Sequence, residues 1–98
     1  MTHISVVIPV YKAENCLHEL CRRVRESLEI ISEDFEIVLV EDGSGDRSWE
    51  IIVELSRLDE RVKGFKLSRN FGQHAATMCG ISKASGEWII TIDDELFS

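Results

Sequence analysis

No apolar run in the chain approaches the ~20 residues that a bilayer-spanning helix needs, and the N-terminus lacks the basic segment and long apolar stretch of a secretion signal. Cysteine is sparse. Cys16, Cys21 and Cys79 are odd in number and show no CxxC spacing, so neither a disulfide framework nor a thiolate zinc site follows, and free thiols in a reducing cytoplasm are expected. His3, His18 and His74 are scattered without metal-ligand spacing. Positive charge is short as well: 11 Lys and Arg against 18 Asp and Glu leave a formal net charge of −7. Nucleic acid is therefore not an expected partner, and no polybasic cluster marks a lipid anchor. The familiar glycine-rich phosphate signatures are missing: no GxGxxG follows the first apolar run, and no P-loop or nucleophile-elbow motif occurs. A receiver-type pair of acids after the first strand is excluded too, because Pro9-Val10-Tyr11 occupies that place.

What is present is a regular alternation. With 44% apolar residues, 98 residues can bury the core of one small domain or of half a larger one. Ile4 to Val10 is a continuous apolar run closed by the only proline, Pro9, as suits a strand covered on both faces. Leu17, Leu20, Cys21, Val24, Leu28 and Ile31 then recur at helical spacing, with Arg22, Arg23, Arg25, Glu26 and Glu29 on the solvated side. Phe35 to Val40 reads as a second strand leading into Glu41-Asp42-Gly43-Ser44-Gly45-Asp46, a tight turn with Asp46 placed to cap the next helix. That helix is expected from about Arg47 to Asp59, with Ile51, Ile52, Leu55 and Leu58 inward. Val62 to Leu67 is a weaker strand, Ser68 to Gly72 a loop, and Gln73 to Lys83 a helix whose Ala75, Ala76, Cys79 and Ser82 permit close packing. Glu87 to Ile92 closes the series as a buried strand. The order βαβαβαβ implies a three-layer α/β sandwich around a mainly parallel sheet with right-handed crossovers.

Polar residues gather at one end of that sheet. Tyr11, Lys12 and Glu14 follow the first strand, Glu41, Asp42 and Ser44 the second, Arg69 and Asn70 the third, and Asp93, Asp94 and Glu95 the fourth. Open parallel sheets bind ligands at the carboxyl ends of their strands. Tyr11 could stack on a base or simply pack over the first crossover. Asp42 could accept hydrogen bonds from a base or ribose, or cap its own turn. Arg69 suits a phosphate or carboxylate, or a surface ion pair. Three adjacent carboxylates repel one another unless a cation intervenes. Such hard oxygen donors suit Mg²⁺ or Mn²⁺, which in turn suit a diphosphate; a solvated acidic turn is the plain alternative.

The run Ser5-Val-Val-Ile-Pro-Val-Tyr11, then Ala13-Glu14, then Glu41-Asp42-Gly43-Ser44, resembles the opening of the family-2 glycosyltransferases, which have a GT-A fold. The segment from Leu67 to Ala76 (LSRNFGQHAA), followed by Gly80, Ala84 and Gly86, is similar to the branch that moves a sugar from a nucleotide donor to a polyprenyl or dolichyl phosphate. The resemblance covers nearly the whole chain and implies the N-terminal, nucleotide-binding half of a GT-A (Rossmann-like) domain. By this resemblance Pro9, Tyr11, Glu14, Asp42, Arg69 and Asp93 form the nucleotide site. Asp93 pairs with Glu95 at the divalent metal, with Asp94 as the alternative chief ligand, and no catalytic base is assigned. The metal, Mg²⁺ or Mn²⁺, would neutralise the leaving nucleoside diphosphate of a UDP- or GDP-linked sugar in an inverting displacement. Two departures stand out: Lys12-Ala13 where the branch often has Asn-Glu, and Asp93-Asp94-Glu95-Leu96-Phe97 where it usually reads Asp-x-Asp-Leu-Gln. Residues 1–98 are thus expected to be a partial domain lacking the acceptor half, inactive alone, from a cytoplasmic protein at the inner face of a membrane whose acceptor is a lipid phosphate. Self-association through an uncovered sheet edge is also expected. A non-catalytic nucleotide-binding or assembly module on the same fold is the alternative.

Overall fold

The computed structural model describes residues 3–93. The elements run β1 (Ile4–Val10), α1 (Leu17–Ile31), β2 (Phe35–Glu41), α2 (Ser48–Leu58), β3 (Val62–Lys66), α3 (Gln73–Lys83) and β4 (Trp88–Thr91). The four strands are parallel in the order β3-β2-β1-β4. After β3 the chain must therefore cross back over the sheet to reach the far side of β1. That reversal leaves a crevice outside the carboxyl ends of the central strands, where ligands settle in such sheets.

Strand periodicity divides the core in two. Ile4, Val6, Ile8 and Val10 of β1 and Phe35, Ile37 and Leu39 of β2 face α1 and α2, packing against Leu17, Leu20, Cys21, Val24, Leu28, Ile51 and Ile52. The alternate residues Val7, Val38 and Val40 face α3, where Ala76 is buried against them. β1 and β2 are buried along their whole length. This is why both read as continuous apolar runs instead of alternating ones. α3 lies very close to the sheet: Gly80 sits over Val7 and Val40 with no space for a Cβ.

The helical stripes held in their middles and failed at their ends. Leu17, Leu20, Cys21, Val24 and Leu28 of α1 are buried, but Ile31 is exposed. Ile51 and Ile52 are buried and Leu55 packs against them, but Leu58 is exposed. In both helices the last residue of the stripe keeps its phase but is left largely open to solvent. On α3 Ala76 and Gly80 are buried and Cys79 packs against the same cluster, whereas Ser82 faces outward and donates its hydroxyl to the Cys79 carbonyl. The expected cap at Asp46 is corrected: α2 begins at Ser48, so Arg47 holds the N-cap position without a side-chain cap, while Asp46, one residue earlier, accepts the Ser48 N–H on its Oδ1 at 2.8 Å. Burial would raise the Asp46 pKa, but the hydroxyl and N–H of Ser48, with the backbone N–H groups of Glu14 and Asp46, together outweigh it and hold the carboxyl low.

The expectation of a buried last strand is corrected. β4 is shorter, from Trp88 to Thr91, and exposed throughout. Among the described residues it pairs with β1 alone, in the register Ile4↔Trp88 to Val7↔Thr91. An apolar hollow of about 380 Å³ opens between Val24, Leu28 and Ile31 on one side and Ile90 and Ile92 on the other.

Candidate functional site

Two adjoining clefts occupy the carboxyl ends of the strands. The first, about 150 Å³, is lined by Pro9, Val10, Tyr11, Asp42, Asn70, Gly72 and Gln73. The second, about 530 Å³, is lined by Pro9, Gln73, His74, Thr77, Thr91, Ile92 and Asp93. Pro9 and Gln73 border both, so they form one continuous surface from the end of β2 across β1 to the tip of β4.

The local folding of that surface can be followed from the backbone outward. β1 ends at Val10, and Lys12 takes a left-handed conformation (φ 52°), uncommon for a residue with a long side chain. The reversal is held by the next loop: the Lys12 N–H donates to Ser44 Oγ at 2.9 Å and the Ala13 N–H to Ser48 Oγ at 3.0 Å. Ser44 is itself fixed by its N–H, which donates to the buried Glu41 carboxylate. Tyr11 is left 44% exposed at the cleft wall, and the Lys12 ammonium lies 5.3 Å from its ring centroid.

Asp42 follows β2 and is 2% exposed. Its Oδ1 accepts the Phe71 N–H at 2.8 Å, and its Oδ2 accepts the Gly72 N–H at 3.1 Å and Asn70 Nδ2 at 3.4 Å. Asn70 Nδ2 also donates to the Asp42 carbonyl at 3.0 Å. Gly43 (φ 66°) lets the main chain pass directly against Arg69 and Asn70; a Cβ there would collide with their backbone. Across the surface, Gln73 Nε2 donates to Asp93 Oδ2 at 3.0 Å.

Of the residues singled out from sequence, Pro9, Tyr11, Asp42 and Asp93 come together on this surface. Glu14 lines neither cleft, and its Oε2 accepts the Arg47 N–H at 3.2 Å at the start of α2. Arg69 lies on the outer side of the same loop, bordering a separate hollow with Trp49 and Lys66 and stacking 4.8 Å from the Phe71 ring. Asp94 and Glu95 lie outside the described residues. Within the described residues no group of three or more His, Cys, Asp or Glu is placed to hold a metal. Asp93 brings a hard oxygen to the β4 tip, the donor chemistry that Mg²⁺ accepts from one or two carboxylates when phosphates and water complete its shell. Sequence reasoning missed Gln73, which borders both clefts, and Ser48, which anchors the first loop. Gln73 carries no signal beyond following a glycine at a helix start.

The sequence profile described as glycosyl transferase family 2 matches residues 5–97. The chain is 47% identical over 94 residues to the undecaprenyl-phosphate 4-deoxy-4-formamido-L-arabinose transferase of Salmonella choleraesuis, covering 95% of this chain and 29% of the relative. The protein of the same name from Salmonella newport is 46% identical over the same span. The chain thus spans about 29% of the length of these curated relatives. Among solved structures, S. aureus TarS 1–349 in complex with UDP-GlcNAc superposes with a TM-score of 0.80 at 26% identity, covering 96% of this chain and 27% of that one. The complex of the same protein with UDP gives 0.79 at 27% identity over 94% of this chain and 27% of that one.

Proposed function

The chain belongs to glycosyl transferase family 2, and on that premise we propose that it forms the donor-binding part of an enzyme that transfers a sugar, with inversion, from a UDP- or GDP-linked donor to a polyprenyl phosphate. One observation carries the reading: the continuous surface at the strand ends, with the Tyr11 ring and Asp42 at one end and the Asp93 carboxylate at the other. A flat ring suits a base, and a hard carboxylate on the far side of a short cleft suits a diphosphate bridged by a divalent cation. The relatives named as undecaprenyl-phosphate transferases support the lipid phosphate as acceptor, and a structural neighbour solved with UDP-GlcNAc supports the nucleotide sugar as donor.

In this reading Pro9, Tyr11 and Asp42 border the base and ribose, while Glu14 and Arg69 stand outside the two clefts. Asp93, with Asp94 and Glu95, would hold Mg²⁺ or Mn²⁺, which supplies charge neutralisation for the leaving diphosphate. A phosphate acceptor is already an anion near neutral pH and needs little help from a base. Residues 1–98 would be one part of the domain, acting at the cytoplasmic face of the membrane; none of the described helices is long and apolar enough to cross it.

Calorimetric titration with UDP and with GDP, each with and without Mn²⁺, tests the reading. Metal-dependent binding of one nucleotide, abolished in Asp93→Asn, is expected. A folded sample that binds neither nucleotide would overturn it.

A further inference from the structure

We propose that Asp42 is a positioning residue whose buried carboxylate serves as an internal anion, pinning the 69–72 loop and the N-terminus of α3 so that the cleft has its width before any ligand arrives. The positive end of a helix attracts an anion, and its first N–H groups need acceptors. Here an anion from inside the chain stands at the loop that leads into α3, although it takes none of the helix's own N–H groups. The Phe71 and Gly72 N–H groups that precede α3 donate to opposite oxygens of one carboxylate, and Asn70 closes over the same group with its amide. At 2% exposure, Asp42 makes these bonds with little of its own surface open to water, and charge-assisted hydrogen bonds strengthen as water is excluded.

Two further observations point the same way. Gly43, the next residue, is pressed against the backbone of Arg69 and Asn70, so the turn after β2 and the loop after β3 meet through main chain as well as side chain. The loop ends in Gly72 (φ 100°), which delivers Gln73 to the floor shared by both clefts, where it holds Asp93. Asp42 thereby acts at a distance on Asp93, through the loop and Gln73. The consequence for nucleotide affinity rests on the donor-binding reading; the pinning of the loop does not.

The test uses the ¹⁵N-labelled chain without nucleotide, following amide hydrogen exchange in wild type, Asp42→Asn and Asn70→Ala. In wild type the Phe71 and Gly72 amides should be protected. Asp42→Asn puts an amide where an acceptor is required and should speed their exchange by about tenfold or more. The Ile37 amide, which donates to the Arg61 carbonyl at 2.8 Å between β2 and β3, should stay as it was. Asn70→Ala removes the two bonds from Asn70 Nδ2 and leaves both loop N–H groups their carboxylate, and should act in the same direction more weakly. The proposal is overturned by unprotected Phe71 and Gly72 amides in wild type, which requires no variant to fold. It also falls if neither substitution changes them, or if Ile37 accelerates by the same factor. Titration with UDP and GDP then separates the two claims. Wild type that binds neither nucleotide removes the donor reading and leaves the exchange result standing. Asp42→Asn that loosens the loop yet binds as tightly as wild type removes the link from loop to affinity.

Discussion

Glu36 offers the sharpest test of how the fold places β4, and with it Asp93. This carboxylate is 2% exposed at the start of β2. Its Oε2 accepts the Ser5 hydroxyl at 2.6 Å, the Ser85 N–H at 2.6 Å and the Ser85 hydroxyl at 3.0 Å. Ser5 Oγ in turn accepts the Gly86 N–H at 2.8 Å, and Lys63 Nζ stands 3.5 Å from the other carboxylate oxygen. The group therefore ties the entry of β4 to the first two strands, two residues before the Ile4↔Trp88 pair. Hydrogen bonds to a charged group contribute about 1.5–3 kcal/mol each, against about 0.5–1.5 for neutral ones. Glu36→Gln keeps the shape and one acceptor oxygen but lowers the two shortest bonds from the first class to the second. The half-exposed Lys63 pair adds no more than about 1 kcal/mol. A loss of about 2 kcal/mol is expected at pH 7, a large share of the roughly 5–15 kcal/mol that holds a domain folded. In urea, with a slope of about 1–3 kcal/mol/M, the midpoint should fall by about 1 M.

The pH dependence carries the sign. Burial by itself would raise the Glu36 pKa, but Ser5, both groups of Ser85 and Lys63 together bring it below the ordinary glutamate value. A depressed folded pKa means that the stabilisation is complete above the unfolded value and is lost as pH falls through the folded one. The gap between wild type and Glu36→Gln should therefore be full at pH 7 and should close as the pH drops below the ordinary carboxylate range. A gap under about 0.5 kcal/mol at pH 7, or one that does not change on acidification, would refute this account of Glu36.

Other consequences can be checked as directly. Gly80→Ala should lower the melting temperature by several degrees, because overpacking against Val7 and Val40 costs about 1–3 kcal/mol and outweighs the roughly 1 kcal/mol gained in helix propensity; a raised midpoint would show that α3 does not sit this close. Lys12→Asn should raise stability by a few tenths of a kcal/mol, since asparagine tolerates the left-handed backbone that Lys12 adopts, and a loss in urea titration would count against that conformation. The exposed β4, with Trp88 at 66% and Ile89 and Ile90 above 40%, should make the 98-residue chain associate with rising concentration. Sedimentation showing a clean monomer at high concentration would exclude this.

The sequence by itself determined the succession of elements, because the signal lay in local spacing. The largely apolar runs Ile4 to Val10 and Phe35 to Val40, bounded by turn residues, became β1 and β2, and the period-3.6 stripe from Leu17 to Leu28 became the buried face of α1. It also determined that the chemistry would gather at one end, since parallel strands joined by helices leave every carboxyl-terminal loop on the same side. Tyr11, Asp42 and Asp93 could be placed at that end for this reason and Pro9 through the family resemblance, and all four border the same surface. The tertiary structure decided what no spacing encodes. The strand order β3-β2-β1-β4 put β4 at an edge, so an apolar run of the same character as β1 ended exposed rather than buried. Residues 28 positions or more apart in sequence met through the Asp42 carboxylate and the 70–72 loop, which made a residue legible as a ligand contact into an internal anchor as well. Glu14 and Arg69 stand in the same strand-end loops as the cleft residues, yet the loop geometry turned Glu14 to the start of α2 and Arg69 outward over Phe71. Sequence fixes on which loop a side chain stands; its direction depends on backbone conformation and on neighbours brought from elsewhere in the chain.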